Sequence, residues 1–220
     1  MNLTIAVAVS NGITVTASLV CCVACLYKRC WQHMKPRPLV ASTLIITLTM
    51  LMFGLQVTFP EVLQALRRDI GSLRSGEWWR IITPLFVQPQ GTLQLLFNMM
   101  FLVVFLPMCE RIYGTRLWLL FFIPGVVGQL VNYAWSPSGG GSSPAAFGVM
   151  GSILIYVLLN SRSAPRQYSV FAILGICGAV TMCFTRDGHG PSLLTGAVIA
   201  ALICWLSPPS QPKNMLSGTG

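Results

Sequence analysis

The chain has 220 residues, 54% of them hydrophobic and 9% charged, with a mean hydropathy of +0.70 and a formal net charge of +9. So few charged groups cannot coat a soluble globule, which excludes that class and places the chain among membrane proteins. The basic excess does not call for nucleic acid as a partner, because the bases are sorted by loop rather than gathered into one patch.

Seven apolar stretches follow one another at about Leu3–Tyr27, Leu39–Phe59, Thr92–Met108, Leu117–Trp135, Ala145–Leu159, Tyr168–Phe184 and Leu193–Leu206. Several fall short of the ~20 residues that cross a bilayer, and glycine interrupts them. Such segments persist in lipid only inside a bundle whose neighbours satisfy the backbone. The predicted fold class is therefore an all-α polytopic membrane protein. Lys28, Arg29, Lys35, Arg37, Arg111, Arg116, Arg162, Arg166 and Lys213 occupy alternate loops with Glu110 as their one acid. Arg67, Arg68, Arg74, Arg80 and Arg186 share the opposite loops with Glu61, Asp69, Glu77 and Asp187. This is the positive-inside pattern, and it sets the loop before Ser143 on the non-cytoplasmic face.

The first stretch has no basic segment ahead of it and a positive cluster behind it, so residues 1–37 read as an N-terminal transmembrane anchor and a basic cytoplasmic linker. Cys21, Cys22, Cys25 and Cys30 include a CxxC spacing, but no second pair follows and His33 is the one histidine nearby. Small buried apolar residues are favoured over a metal site. Residues 38–206 form the predicted core. Its second span is followed by a long connection, Pro60–Gly91, carrying the amphipathic piece EVLQALRRDI and then GEWWRIITPLF. Tryptophans beside an arginine suit the headgroup level, and so long and aromatic a loop is expected to pack on the bundle as an element of its own.

In the third span Gln94 and Asn98 are one turn apart and share a helix face. Carboxamides in a span are costly without partners, so both are expected to point into the bundle. Glu110 and Gly114 stand at the far end of that span, where Glu110 reads as an ion-pair partner or a cap. Pro124, Gly125 and Gly128 mark the fourth span as closely packed, and Gly175 and Gly178 mark a helix contact in the sixth.

The run GGGSSPAAFGVMG, residues 139–151, combines a loop able to take positive φ with a serine at a helix start. Taken alone, Ser143 reads as an N-cap with Pro144 at the first helical position. Phe147, Met150 and Gly151 share its face. The seventh span opens TRDGHGPSLLTGAV, which brings His189 to the same end of the bundle, with Ser192 and Gly196 on its face. A serine hydroxyl becomes a nucleophile when a base takes its proton, and imidazole is suited to that task. The charge then developing on a carbonyl oxygen needs donors, which Asn98, Gln94 and the Ser143 backbone N–H can supply. Asp187 lies two residues before His189 and is expected to point elsewhere, leaving a Ser143–His189 dyad.

From about residue 39 to 206 the chain resembles the rhomboid intramembrane serine proteases. The resemblance rests on Trp79-Arg80 in the first loop, Asn98 in the next helix, Glu110 and Gly114 beyond it, and Gly141-Ser142-Ser143-Pro144 at the serine. Phe147 follows the serine, and His189, Ser192 and Gly196 complete the series. Against the family pattern, Pro144 replaces the glycine after the serine, Gln94 stands where many members have histidine, and Ser192 where glycine is common. That serine is expected to set the two catalytic helices slightly further apart. The resemblance implies a six-helix core plus one extra N-terminal helix. It also implies a serine endopeptidase that cleaves transmembrane segments of membrane-protein substrates, with Ser143 as nucleophile and His189 as base, and with no metal or organic cofactor. Phe147 would pack on the catalytic ring. The alternative reading is a catalytically inactive relative that binds transmembrane clients. Expected partners are such substrates and the lipid bilayer, with no nucleic acid, in a plasma (inner) membrane. Residues 207–220, rich in Pro, Ser and Gly, read as a disordered tail.

Overall fold

The computed structural model of the chain describes residues 3–27, 38–159 and 166–206. The linker bases and Cys30, Arg162, Lys213 and residues 207–220 lie outside the described residues, as do the side chains of Cys22 and Cys25. The long helices are α1 (Leu3–Tyr27), α2 (Val40–Thr58), α5 (Thr92–Tyr113), α6 (Leu117–Trp135), α7 (Ser143–Leu159), α8 (Arg166–Phe184) and α9 (His189–Leu206). Two short helices, α3 (Pro60–Leu66) and α4 (Ile70–Arg74), lie in the connection between α2 and α5. The chain is an all-α, multi-pass integral membrane protein: α2, the α5–α6 stretch, α8 and α9 are each long and apolar enough to cross a bilayer. The apolar part of α1, Ala8–Cys21, and α7 are shorter.

α7 is the centre of the bundle. It packs against α9, α6, α5, α8 and α1, and residues 144–154 and Val157 are buried. A 17-residue helix is about 26 Å long, less than a bilayer core, and the surrounding helices make that length tolerable. Glycine sets the closest crossings. A Cβ on Gly151 would collide with the Leu193 carbonyl of α9, and one on Gly196 with the Gly148 backbone. On the other side, Gly148 lies against Pro124 and Gly125 against Ala145, bringing α6 onto α7. Ser192 does not face α7's glycines. Its hydroxyl sits against Gly128 of α6 and donates to the Gly188 carbonyl at 2.9 Å.

α1 docks on the core along α8. Ser10, Thr14, Ala17 and Cys21 form a buried small-residue stripe on α1. Gly178 meets Thr14 and Ser10, and Gly175 meets Ala17, the contact expected of those glycines.

The long connection is an element of its own, folded through α3, α4 and 3-10 turns at Trp78–Ile81 and Thr83–Leu85. The last carbonyls of α3 have no partners within the helix. Arg80 Nη1 donates to the Gln64 and Arg67 carbonyls at 2.8 Å, Trp79 Nε1 to Ala65 at 3.1 Å and Thr83 Oγ1 to Leu66 at 2.9 Å. Arg80 is further held by Glu77 at 2.6 Å. The Trp79-Arg80 pair thus closes a helix end. At the opposite end of the bundle Glu110 caps α2, accepting from the Ala41 and Ser42 N–H groups at 2.9 and 2.8 Å and from Ser42 Oγ at 2.5 Å. Gly114, at φ 62°, ends α5 one turn later.

Candidate active site

The loop before α7 is held from three sides. Its Gly141 N–H donates to the Pro84 carbonyl at 2.7 Å, Gln94 Nε2 donates to the Gly140 carbonyl at 2.8 Å, and Gln129 Nε2 to that of Gly141 at 3.3 Å. Gly139 and Gly141 have φ of 144° and 132°, which a side chain would strain. Arg68 and Asp69 pair with Gly139 and Ser138 as a two-residue antiparallel ladder. The Arg68 guanidinium binds Gln129 Oε1 and the Ser136 carbonyl. This clamp between the long connection and the serine loop carries no periodicity that reading the sequence could detect.

The loop delivers Ser143 to the first position of α7, where its Oγ lies 2.8 Å from His189 Nε2. The hydroxyl's partner is the imidazole, not the N–H groups of its own first turn. Phe147, one turn along, lies 4.5 Å from the His189 ring, centroid to centroid, and is itself met edge-on by Phe101.

The expectation that Asp187 points elsewhere is corrected here. Asp187 Oδ1 lies 2.5 Å from His189 Nδ1 and also accepts the His189 backbone N–H at 3.0 Å. Residues two apart diverge on a helix, but α9 begins only at His189. Asp187 stands in the turn before it, where an aspartate readily accepts from the N–H two residues on. An ionised carboxylate only accepts, so the ring proton sits on Nδ1 and Nε2 is the acceptor for the Ser143 hydroxyl. Burial pushes the Asp187 pKa up. The hydrogen bond and charge of His189, its backbone N–H and Asn11 outweigh that effect and hold the carboxyl well below the usual range.

Asn11 is the second residue that sequence reasoning missed. From the middle of α1 its Nδ2 donates to Asp187 Oδ2 at 3.0 Å. The available signal was the one used for Gln94 and Asn98, an amide within an apolar span.

Gln94 and Asn98 both turn their amide nitrogens toward the serine loop: a Cβ on Gly141 would lie 2.5 Å from Gln94 Nε2 and 3.4 Å from Asn98 Nδ2. Asn98 is oriented by Gln88 Oε1, to which it donates at 2.7 Å. The Gln88 backbone is in turn paired with the Gln56 side chain of α2. These groups open on a cleft of about 530 Å³ that Ser143, His189, Asp187, Gln94 and Asn98 all line. Trp79, Arg80, Glu110 and Gly114 are not among its lining residues; they hold helix ends.

Fold and site define a multi-pass helical membrane protein with hydroxyl, imidazole and carboxylate in series at one end of its bundle. Residues 75–207 match the Rhomboid domain, and the chain belongs to the rhomboid family. Among its relatives, the protein YdcA of Bacillus subtilis (strain 168) is 35% identical over 117 residues, which is 51% of this chain and 58% of that protein. Rhomboid-like protease 3 of Toxoplasma gondii is 33% identical over 138 residues, 58% of this chain and 51% of that one. Rhomboid protease GlpG of Haemophilus influenzae (strain ATCC 51907 / DSM 11121 / KW20 / Rd) is 24% identical over 134 residues, 59% of this chain and 69% of that one. The matches span little more than half the length of the first two relatives.

Proposed function

We propose that the chain is an intramembrane serine endopeptidase that cleaves transmembrane segments of membrane-protein substrates. Ser143 is the nucleophile and His189 the general base and then acid, with Asp187 holding the imidazole in the tautomer this requires. Ser143 Oγ attacks the scissile carbonyl carbon while its proton passes to Nε2. The oxyanion that forms is met by the second N–H of the Asn98 and Gln94 amides and by the Ser143 backbone N–H. Nε2 returns the proton to the leaving nitrogen as the C–N bond breaks. Water then repeats the attack on the acyl-serine and frees the enzyme. A helical substrate hides its carbonyls in hydrogen bonds, so the segment must unwind locally to enter the cleft.

The observation that carries this reading is the 2.8 Å approach of Ser143 Oγ to His189 Nε2, with a carboxylate on the ring's other nitrogen. The loop charges favour a site on the non-cytoplasmic side. In this reading the membrane is a plasma (inner) membrane, with the bilayer and transmembrane substrates as partners and no nucleic acid. The test is cleavage of a reporter bearing a cleavable transmembrane segment, together with labelling by a fluorophosphonate. Both are expected to fall by more than about a thousandfold in Ser143→Ala and in His189→Ala. A reporter left uncut by the parent chain, or cut equally with Ser143→Ala, would overturn this reading in favour of a relative that binds such segments without cutting them.

A further inference from the structure

α1 lies outside the six-helix core, yet it reaches the site. Its Asn11 stands one residue after Ser10, at the edge of the small-residue stripe that docks α1 on α8, and it lines the cleft beside Asp187. An amide within an apolar helix costs free energy unless it finds a partner, and a carboxylate is a strong one for an N–H donor. The end of the amide that faces Asp187 is set by chemistry: two oxygens would repel, so the NH₂ group points at Oδ2. With Oδ1 engaged by the His189 ring and backbone, each carboxylate oxygen has a donor. Asp187 is thereby fixed from two sides, by its own turn and by a helix at the opposite extreme of the chain.

We infer that Asn11 is a positioning residue for the catalytic histidine: α1 acts on His189 through Asp187, and the extra helix is a working part of the active site as well as an anchor. This rests on the Ser143–His189 reading of the site. The chain of contacts runs Asn11, Asp187, His189, Ser143, every link a hydrogen bond of 3.0 Å or less. Loss of the first link leaves Oδ2 without its donor and the carboxylate held from one side only, by its own turn through Oδ1. The ring then samples orientations in which Nε2 no longer faces the hydroxyl.

The experiment is a double-mutant cycle on the full chain in detergent, with Asn11→Leu, Asp187→Asn and both together, read by the rate of fluorophosphonate labelling at Ser143. Asn11→Leu is expected to slow labelling about tenfold, the scale of a hydrogen bond to a charged group. In the Asp187→Asn background the same change is expected to alter the rate by less than about twofold, because the residue it acts through is already lost. Equal losses in the two backgrounds, or no loss in the parent, overturn the inference, since a helix that merely supports the bundle would act alike in both. Asn11→Ala serves if the leucine prevents folding. A second readout needs no activity: the downfield proton resonance of the His189 Nδ1–H, followed in a His33→Gln chain. That resonance is expected to move on Asn11→Leu, and a fixed position overturns the role of Asn11. Absence of labelling in the parent chain would instead overturn the serine-hydrolase reading.

Discussion

Asp187 and His189 show what reading by helical spacing hides at the scale of one residue. Spacing sorts side chains onto faces only where the backbone is helical, and the two stand on either side of the point where α9 begins. Gln94 and Asn98 were legible because carboxamides are rare in apolar spans, and Ser143 and His189 because each stands where an apolar stretch opens at the same end of the bundle. Asp187 was legible as an acid but not as a partner, since the turn that folds it back is local geometry. The depressed pKa of its carboxyl gives this contact a pH signature. A group whose pKa falls on folding adds stability that is complete above its unfolded value, about 3.9 for aspartate, and that is lost as pH falls through the lower folded value. The Tm of the parent chain should therefore exceed that of Asp187→Asn most above about pH 5, and the gap should narrow below about pH 4. Melting curves of both in one detergent from pH 5 to pH 2 check this, and a gap that widens over that range contradicts it.

Among the elements, the packing of α9 on α7 decides whether serine and histidine meet. Small residues in both helices announced a close crossing, but not which of them touch. That depends on the rotation of each helix, and Ser192 turns to α6 while Gly148, Gly151 and Gly196 share the seam. The partner of Glu110 was equally hidden. Its role as a cap could be read from its place at a helix end, but the helix it caps is α2, whose first turn lies 69 residues away in the chain. Gly196→Ala tests the seam. Its methyl group meets Gly148 backbone, which cannot swing aside as a side chain would, so α9 must shift or tilt. The expected cost is about 1–3 kcal/mol of stability, typical of an overpacked core. Displacing one reacting group by about an ångström adds a fall in Ser143 labelling of about a hundredfold. Gly54→Ala is the control, because a Cβ there meets nothing within 4 Å. Equal labelling by the two variants would show that the seam does not govern the reaction.

Over the whole molecule the bundle has a chemical end and a structural end. Ser143, His189, Asp187, Gln94 and the Arg68–Gly139 clamp lie at one, and the Glu110 cap and the Gly114–Arg116 turn at the other. They are separated by the length of α5, about 33 Å for its 22 residues. The ladder, the Gln56–Gln88 pair and the Gln88–Asn98 hydrogen bond tie the long connection to the chemical end, so its surface must share a side of the membrane with the cleft. That this side is the exterior is proposed from the sorting of bases among the loops, an argument independent of any contact in the bundle. Ser75, exposed at the end of α4, and Thr115, exposed in the α5–α6 turn, report the two ends. In intact cells, Ser75→Cys is expected to gain one mass shift over the parent chain with a membrane-impermeant maleimide. Thr115→Cys should gain it only after the membrane is opened. Reversed labelling would place the cleft on the cytoplasmic face and confine substrates to segments that present their cleavable end there, while leaving the hydrogen bonds that join Ser143 to His189 untouched.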